Sequence, residues 1–294
     1  MKEIIEILSE NNLYVGSKDN IISYKKDAFL ANYKLNRSPK NIFPKHIKRY
    51  DSGYLVLDNE PFILTNKREP GNSNTIWILL SNGARVLLKE IPRIERENEL
   101  LFKELCKELD VPCANSDIVT LDGKIYFASL SFLGINEHLE DYYKLDRKAI
   151  VDTVDLITDA KEINQDAFIR KALTCDILSE NIDRLPNNLR VIRNKKQRRI
   201  CPLFDNGLLR EGKAKITTPW INGSYDNDDI IEFLMQDEHY RTWAFNKIIS
   251  KQMPNYKKKI LEEKKIYIDD KNYKYFEESL ENGKVLVLNA YKNS

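Results

Sequence analysis

SENIDRLPNNLRVIRNKKQRRICPLFDNG, residues 179–207, is the stretch on which the fold of this chain turns. It opens on loop chemistry, with Asp183, Pro186, Asn187 and Asn188 close together. LRVI (189–192) then predicts a strand, RNKKQRR (193–199) a basic turn and ICPLF (200–204) a returning strand, which ends at Asp205-Asn206-Gly207. A hairpin brings its two ends together, so Asp183, Asn188 and Asp205 are expected to converge. Each part alone has a plainer reading. D-x-x-x-x-N recurs by chance in an Asn-rich chain, and Asp-Asn-Gly is an ordinary turn.

Upstream, residues 54–133 read as strands around one helix. The strand candidates are YLVL (54–57), PFIL (61–64), TIWILL (75–80), ARVLLK (84–89), DIVTL (117–121) and KIYFASLSF (124–132), punctuated by PGNSN (70–74), SNGA (81–84) and LDGK (121–124). A helix is expected over about 93–109, with Glu99, Phe102, Cys106 and Leu109 on one face. Glu99 then stands at the N-terminal end of an apolar stripe. A buried carboxylate needs a partner, and Lys89, at the end of the preceding strand, would serve. A Glu99 at the edge of the stripe and simply solvated fits the same spacing.

Residues 140–294 read mostly as helix, including one over about 166–179, so the chain is expected to be α+β with two lobes. The boundaries expected are an N-terminal extension over 1–55, whose role is not readable, a strand-rich N-lobe over 56–133 and a helical C-lobe over 134–294. The chain has 294 residues and 42% hydrophobic content, enough for a sizeable core. A net charge of +2 argues for neither a nucleic-acid partner nor a membrane surface. No apolar run approaches the roughly 20 residues of a membrane span, and MKEIIEILSENN lacks a signal-peptide pattern. A cytoplasmic location is the expectation. Four cysteines without CxxC spacing and three scattered histidines point away from disulfide, zinc or histidine-based sites.

Phosphoryl transfer asks for few protein parts: a carboxylate that orients the nucleophile's proton, oxygen ligands for magnesium and a cation on the α/β-phosphates. Protein kinases place the first two in a D-x-x-x-x-N loop and a second metal-binding Asp after a hairpin. Asp183-Arg-Leu-Pro-Asn-Asn188 and Asp205-Asn206-Gly207 have that order, with Lys89 and Glu99 upstream of them.

NIDRLPNN followed by CPLFDNG resembles the N-x-D-R-H-x-x-N and A-P-x-F/Y-D-x-G motifs of HipA-like serine/threonine kinases, including the smaller CtkA-type kinases. NELLFKELCKELDVPCANSDIV resembles the family's αC-like helix and the strand after it. The motifs cover roughly residues 60–210. The resemblance implies a bilobal protein-kinase-like fold that uses ATP and Mg2+. Asp183 matches the catalytic base, Asn188 and Asp205 the magnesium ligands, Lys89 the phosphate-binding lysine and Glu99 its ion-pair partner. Leu130 and Phe132 fall where a hinge would offer its backbone to adenine, and Phe204 where a residue would line that pocket. REPGNSNT (68–75) falls at the phosphate-covering loop with Gly71 as its only glycine, and Ser73 or Thr75 is a candidate for autophosphorylation. One departure stands out: Leu185 replaces the histidine that commonly follows Asp-Arg.

The activity so implied is transfer of the γ-phosphoryl group to Ser/Thr of a protein substrate, with an antitoxin or other regulatory partner. A lipid or small-molecule kinase and a catalytically weak, ATP-binding pseudokinase are the alternatives on the same fold. RNKKQRR reads either as a contact for an acidic partner or as a solvated hairpin tip.

Overall fold

A computed structural model describes residues 41–58, 62–65, 74–80, 82–134, 137–141, 153–182, 184, 188–195, 197–209 and 226–294. The chain divides into two compact units. The first holds the described residues up to Arg96, Ala114–His138 and the short segment Lys264–Ile266. The second holds Glu97–Cys113, Leu139–Glu263 and Tyr267–Ser294.

The first unit is built on a six-stranded sheet. Its strands are β1 (Leu55–Val56), β2 (Phe62–Thr65), β3 (Asn74–Leu80), β4 (Arg85–Glu90), β5 (Ser116–Leu121) and β6 (Lys124–Leu130), in the order β1-β5-β6-β4-β3-β2. Only the β1–β5 pairing is parallel. Side chains alternate across a pleated strand, and here the alternation selects one core face. Ile78, Leu80, Val86, Leu88, Val119, Leu121, Tyr126, Ala128 and Leu130 share it with Leu55 and Leu57, and Phe43 and Ile47 pack against them. Residues 41–55, within the N-terminal extension whose role the sequence does not show, therefore contribute to this core. The opposite face carries the cross-strand row Thr75, Lys89, Phe127 and Ile118. Lys89 thus sits on the central strand β4 with its side chain directed away from the main core.

One charged side chain does enter on the core side. Asp117, at the start of β5, is 5% exposed. Arg49 grips it with both terminal nitrogens, at 3.0 and 2.5 Å, and Lys264 Nζ lies 3.1 Å away. Burial pushes the Asp117 carboxyl upward, and the Arg49 hydrogen bonds with the Lys264 charge more than offset it, so its pKa lies below the usual value. Gly53 secures the same segment. Its φ is +81°, and a Cβ there would stand 2.6 Å from the carbonyl carbon of Lys265.

Among its described residues the second unit contains α1 (Arg93–Glu108) from Glu97 onward, a small sheet, six further α-helices and a π-helical turn at Phe245–Ile249. Glu97, Asn98, Glu99 and Glu104 of α1, all buried, find partners inside this unit. The small sheet has the order β7-β8-β9, from β7 (His138–Asp141), β8 (Arg190–Arg193) and β9 (Arg198–Ile200). The helices are α2 (Thr153–Glu162), α3 (Asp166–Ser179), α4 (Asn227–Met235), α5 (Glu238–Ala244), α6 (Tyr256–Lys264) and α7 (Asp270–Asn293). Gly283 lets the long α7 approach α3, since a Cβ there would stand 2.8 Å from Leu178 Cα. The N-terminus of α7 is capped by Asp269, whose own N–H donates to Glu97 at 3.1 Å.

The hairpin forms, with one shift from expectation. The returning strand starts at Arg198, not at Ile200, and pairs Arg193 with Arg198 and Val191 with Ile200. The tip is therefore shorter than the basic run: Asn194 and Gln197 close it through two hydrogen bonds of 3.0 Å. Glu140 on β7 holds both flanking arginines, Arg193 at 2.6 Å and Arg198 at 2.9 Å. One carboxylate thus engages two of the five cations of RNKKQRR. Beyond Ile200 the chain leaves the small sheet, and Leu203 bridges in parallel to Cys113. Among the described residues no helix is long and apolar enough to cross a membrane.

Candidate active site

The hairpin's two ends meet on one buried guanidinium. α3 closes at Glu180, whose left-handed conformation (φ 50°) stops the helix, and the Asn181 N–H returns to the Asp176 carbonyl at 2.9 Å. Asn181 then bridges to Leu209, and the Ile182 N–H donates to the Leu208 carbonyl at 3.1 Å. The loop after α3 and the segment after Asp205 therefore run side by side.

Arg184 joins them. Its side chain is fully buried, and its five N–H donors have five acceptors. Nε and Nη2 form a fork onto Asp176, each bond 3.0 Å. Nη1 reaches the carbonyls of Asn188 at 3.1 Å and Phe204 at 3.4 Å. Nη2 also donates to Asn206 Oδ1 at 2.5 Å. Burial disfavours the charge, and the Asp176 carboxylate more than compensates, so the Arg184 pKa is raised. Asn181 Nδ2 supports Asp176 Oδ1 at 2.8 Å. The Phe102 ring of α1 lies 5.7 Å from the guanidinium carbon.

α1 holds the other side of Asp205-Asn206-Gly207. Glu99 accepts the Asn206 backbone N–H at 2.9 Å and lies 3.5 Å from Asn206 Nδ2. Asn98 Nδ2 donates to the Gly207 carbonyl at 2.9 Å. Between these holds, Asp205 takes a positive φ of 59°, a conformation that non-glycine residues adopt at a cost and that concentrates at functional sites.

The expected site residues are distributed as follows. Asn188, Phe204 and Asp205 are brought to one place by Arg184, and Glu99 is fixed to the residue after Asp205. Asp183 lies outside the described residues, but Ile182 and Arg184 on either side of it are both held. Lys89, Leu130 and Phe132 belong to the first unit. Lys89 is 9% exposed and has Phe127 opposite it on β6. At the expected hinge, the Leu130 N–H donates to the Asn115 carbonyl at 2.8 Å and the Ser131 N–H to the Arg85 carbonyl at 2.8 Å, so those two amides are engaged within the first unit. Gly71 and Ser73 lie outside the described residues, and Thr75 is paired with Lys89 in the β3–β4 ladder.

Magnesium is held by hard oxygens and takes only one or two protein carboxylates, the rest of its shell coming from phosphate and water. Asn188 and Asp205 supply that donor chemistry, on segments fixed by the same arginine. Among the described residues no cluster of three or more His, Cys, Asp or Glu forms a metal site. The cysteines play no comparable part. Burial, then contact with Cys113 and Cys175, pushes the Cys106 thiol far up, so it stays neutral.

Arg184, Asp176, Asn98 and Asn206 were not singled out in the sequence. A signal for the first two exists: Asp176 interrupts the apolar end of a buried helix, TCDILS, eight residues before Arg184. A charge in such a place needs an opposite charge nearby.

No protein-family model and no curated protein sequence matches the chain. Among solved structures, the Helicobacter pylori proinflammatory kinase CtkA superposes with a TM-score of 0.59 at 13% identity, over 81% of this chain and 96% of that one. The fold is therefore the α+β kinase-like fold of CtkA. A complex of HipA and HipB with operator DNA from Shewanella oneidensis MR-1 matches at a TM-score of 0.42 and 13% identity, over 95% of this chain and 73% of that one, below the level that fixes a fold.

Proposed function

We propose that the chain is an ATP- and magnesium-dependent phosphotransferase that moves the γ-phosphoryl group to a serine or threonine of a protein. The observation that carries this reading is the single guanidinium of Arg184, which ties Asn188 to the segment that leads into Asp205. The roles follow from the chemistry. Asp183, on the loop between Ile182 and Arg184, orients the acceptor hydroxyl and takes its proton. Asn188 and Asp205 hold magnesium, which when bound offsets the phosphate charge. Lys89 supplies a fixed cation for the α/β-phosphates. Phe204 and Phe132, with Gly71, complete the nucleotide's surroundings. A regulatory protein partner, such as an antitoxin, belongs to the same reading and rests on the motifs alone.

The test is incubation with labelled ATP and magnesium, with protein and with lipid acceptors, beside an Asp183→Asn control. Label on protein Ser/Thr that falls by about 10²–10⁴-fold in the variant supports the proposal. Label on lipid alone moves the substrate class. Turnover in the variant equal to that of the parent removes Asp183 as the base.

A further inference from the structure

Asn206 stands between two groups of opposite hydrogen-bonding character. Glu99, 5% exposed, is a carboxylate that only accepts. Arg184, fully buried, is a guanidinium that only donates. The Asn206 carboxamide faces each with its complementary atom, Nδ2 toward Glu99 and Oδ1 toward Arg184. The backbone on both sides of its Cα is also held, the N–H by Glu99 and the following Gly207 carbonyl by Asn98. Asp205 precedes this arrangement in a left-handed conformation, and the peptide that it shares with Asn206 cannot rotate without breaking the 2.9 Å bond to Glu99.

We infer that Asn206 is a positioning residue, and that Glu99 of α1 acts through it, with Asn98 holding the Gly207 carbonyl that follows, to aim the Asp205 carboxylate at magnesium. The inference rests on the reading of Asp205 as a magnesium ligand and goes beyond it. Glu99 acquires a role on the metal loop, distinct from a partnership with the phosphate-binding lysine, and the state of α1 is coupled to metal affinity. The chemistry at position 206 is restrictive. Aspartate keeps the bond to Arg184 but faces Glu99 with a like charge. Leucine or alanine leaves an Arg184 N–H buried without an acceptor. Only a side chain that donates on one side and accepts on the other satisfies both neighbours.

The experiment compares the parent chain with Asn206→Ala, Asn206→Asp, Glu99→Ala and Glu99→Gln, with thermal unfolding confirming that each variant is folded. Two quantities are read. The first is hydrogen exchange of the Asn206 amide without metal or nucleotide, which should be slow in the parent, fast in Glu99→Ala and slow again in Glu99→Gln, whose amide oxygen still accepts. The second is the magnesium concentration that half-saturates ATP binding. It should rise by about 10–100-fold in Asn206→Ala, the range for groups that orient metal ligands, and further in Asn206→Asp, while magnesium-free ATP binding stays unchanged. Equal magnesium dependence in a folded Asn206→Ala, or an Asn206 amide equally protected in Glu99→Ala, overturns the inference. A parent chain whose ATP binding ignores magnesium overturns the assignment of Asp205 and the metal half of the inference with it. The exchange measurement then still decides whether Glu99 holds Asn206.

Discussion

Arg184 and Asp176 form a forked ion pair with both side chains fully buried, two bonds of 3.0 Å that join the end of α3 to the loop carrying Asp183. Removing one member of such a pair strands the other in a medium that cannot solvate it. Arg184→Met removes the charge and all five donors, and Asp176→Asn removes the counter-charge. Each should lower unfolding free energy by about 3–5 kcal/mol. In a double-mutant cycle by chemical denaturation, the two losses should be strongly non-additive. Additive losses would show that the two residues act independently.

Asp117 gives the first unit a defined response to acid. Its folded pKa lies below the unfolded carboxylate value of about 3.9. The sign follows from linkage: the stabilisation from Arg49 and Lys264 is complete above that unfolded value and is lost as pH falls through the folded one. Asp117→Asn should cost about 1.5–3 kcal/mol at neutral pH, the range for hydrogen bonds to charged groups. It should also flatten the stability curve below about pH 4. Parallel parent and variant curves throughout the acid range would contradict this.

Gly53 and Gly123 separate two costs that usually come together. Both have positive φ, 81° and 71°, but a Cβ on Gly53 meets Lys265 backbone at 2.6 Å whereas one on Gly123 meets nothing within 4 Å. Gly123→Ala should cost about 1–2 kcal/mol, the left-handed penalty alone. Gly53→Ala should cost clearly more and should loosen Lys264 from Asp117, visible as faster exchange in the Lys264–Ile266 segment. Equal costs for the two variants would mean that this segment is not anchored at Gly53.

Residues 68–75, proposed to cover the phosphates, carry a candidate for self-modification. Ser73 precedes β3, and Thr75 is already in the ladder opposite Lys89. Added phosphate on Ser73 would place roughly two negative charges on that loop. After incubation with magnesium and ATP, mass spectrometry should find phosphate on Ser73 in preference to Thr75, whose neighbours in the sheet restrict access. An unmodified 68–75 peptide beside a labelled substrate would dispose of the switch and leave the proposed transfer intact.

The hairpin and the helix were legible because their signals are local. LRVI alternates with turn chemistry, and Glu99, Phe102, Cys106 and Leu109 carry a helical period that the structure buries along its whole length. The convergence of Asn188 and Asp205 followed from the hairpin alone. What holds them did not, because Arg184 has partners on α3, on its own loop and beyond the hairpin, and each of these contacts depends on tertiary geometry. The same applies to residues 41–53 and 264–266. Arg49, Gly53 and Lys264 look like ordinary surface residues until β5 brings Asp117 between them. For Glu99 the spacing left burial and solvation both open, and its hold on Asn206, 107 residues away, could not be seen in it.

The central claim is that the segments joined by Arg184 hold magnesium on a nucleotide. Isothermal titration of ATP into the parent chain and into Asp205→Ala, each with and without magnesium, tests it most directly. Magnesium-dependent binding should appear in the parent and vanish in the variant, because the loss of its carboxylate leaves a hard cation poorly held. The same magnesium-ATP affinity in both proteins would contradict the account.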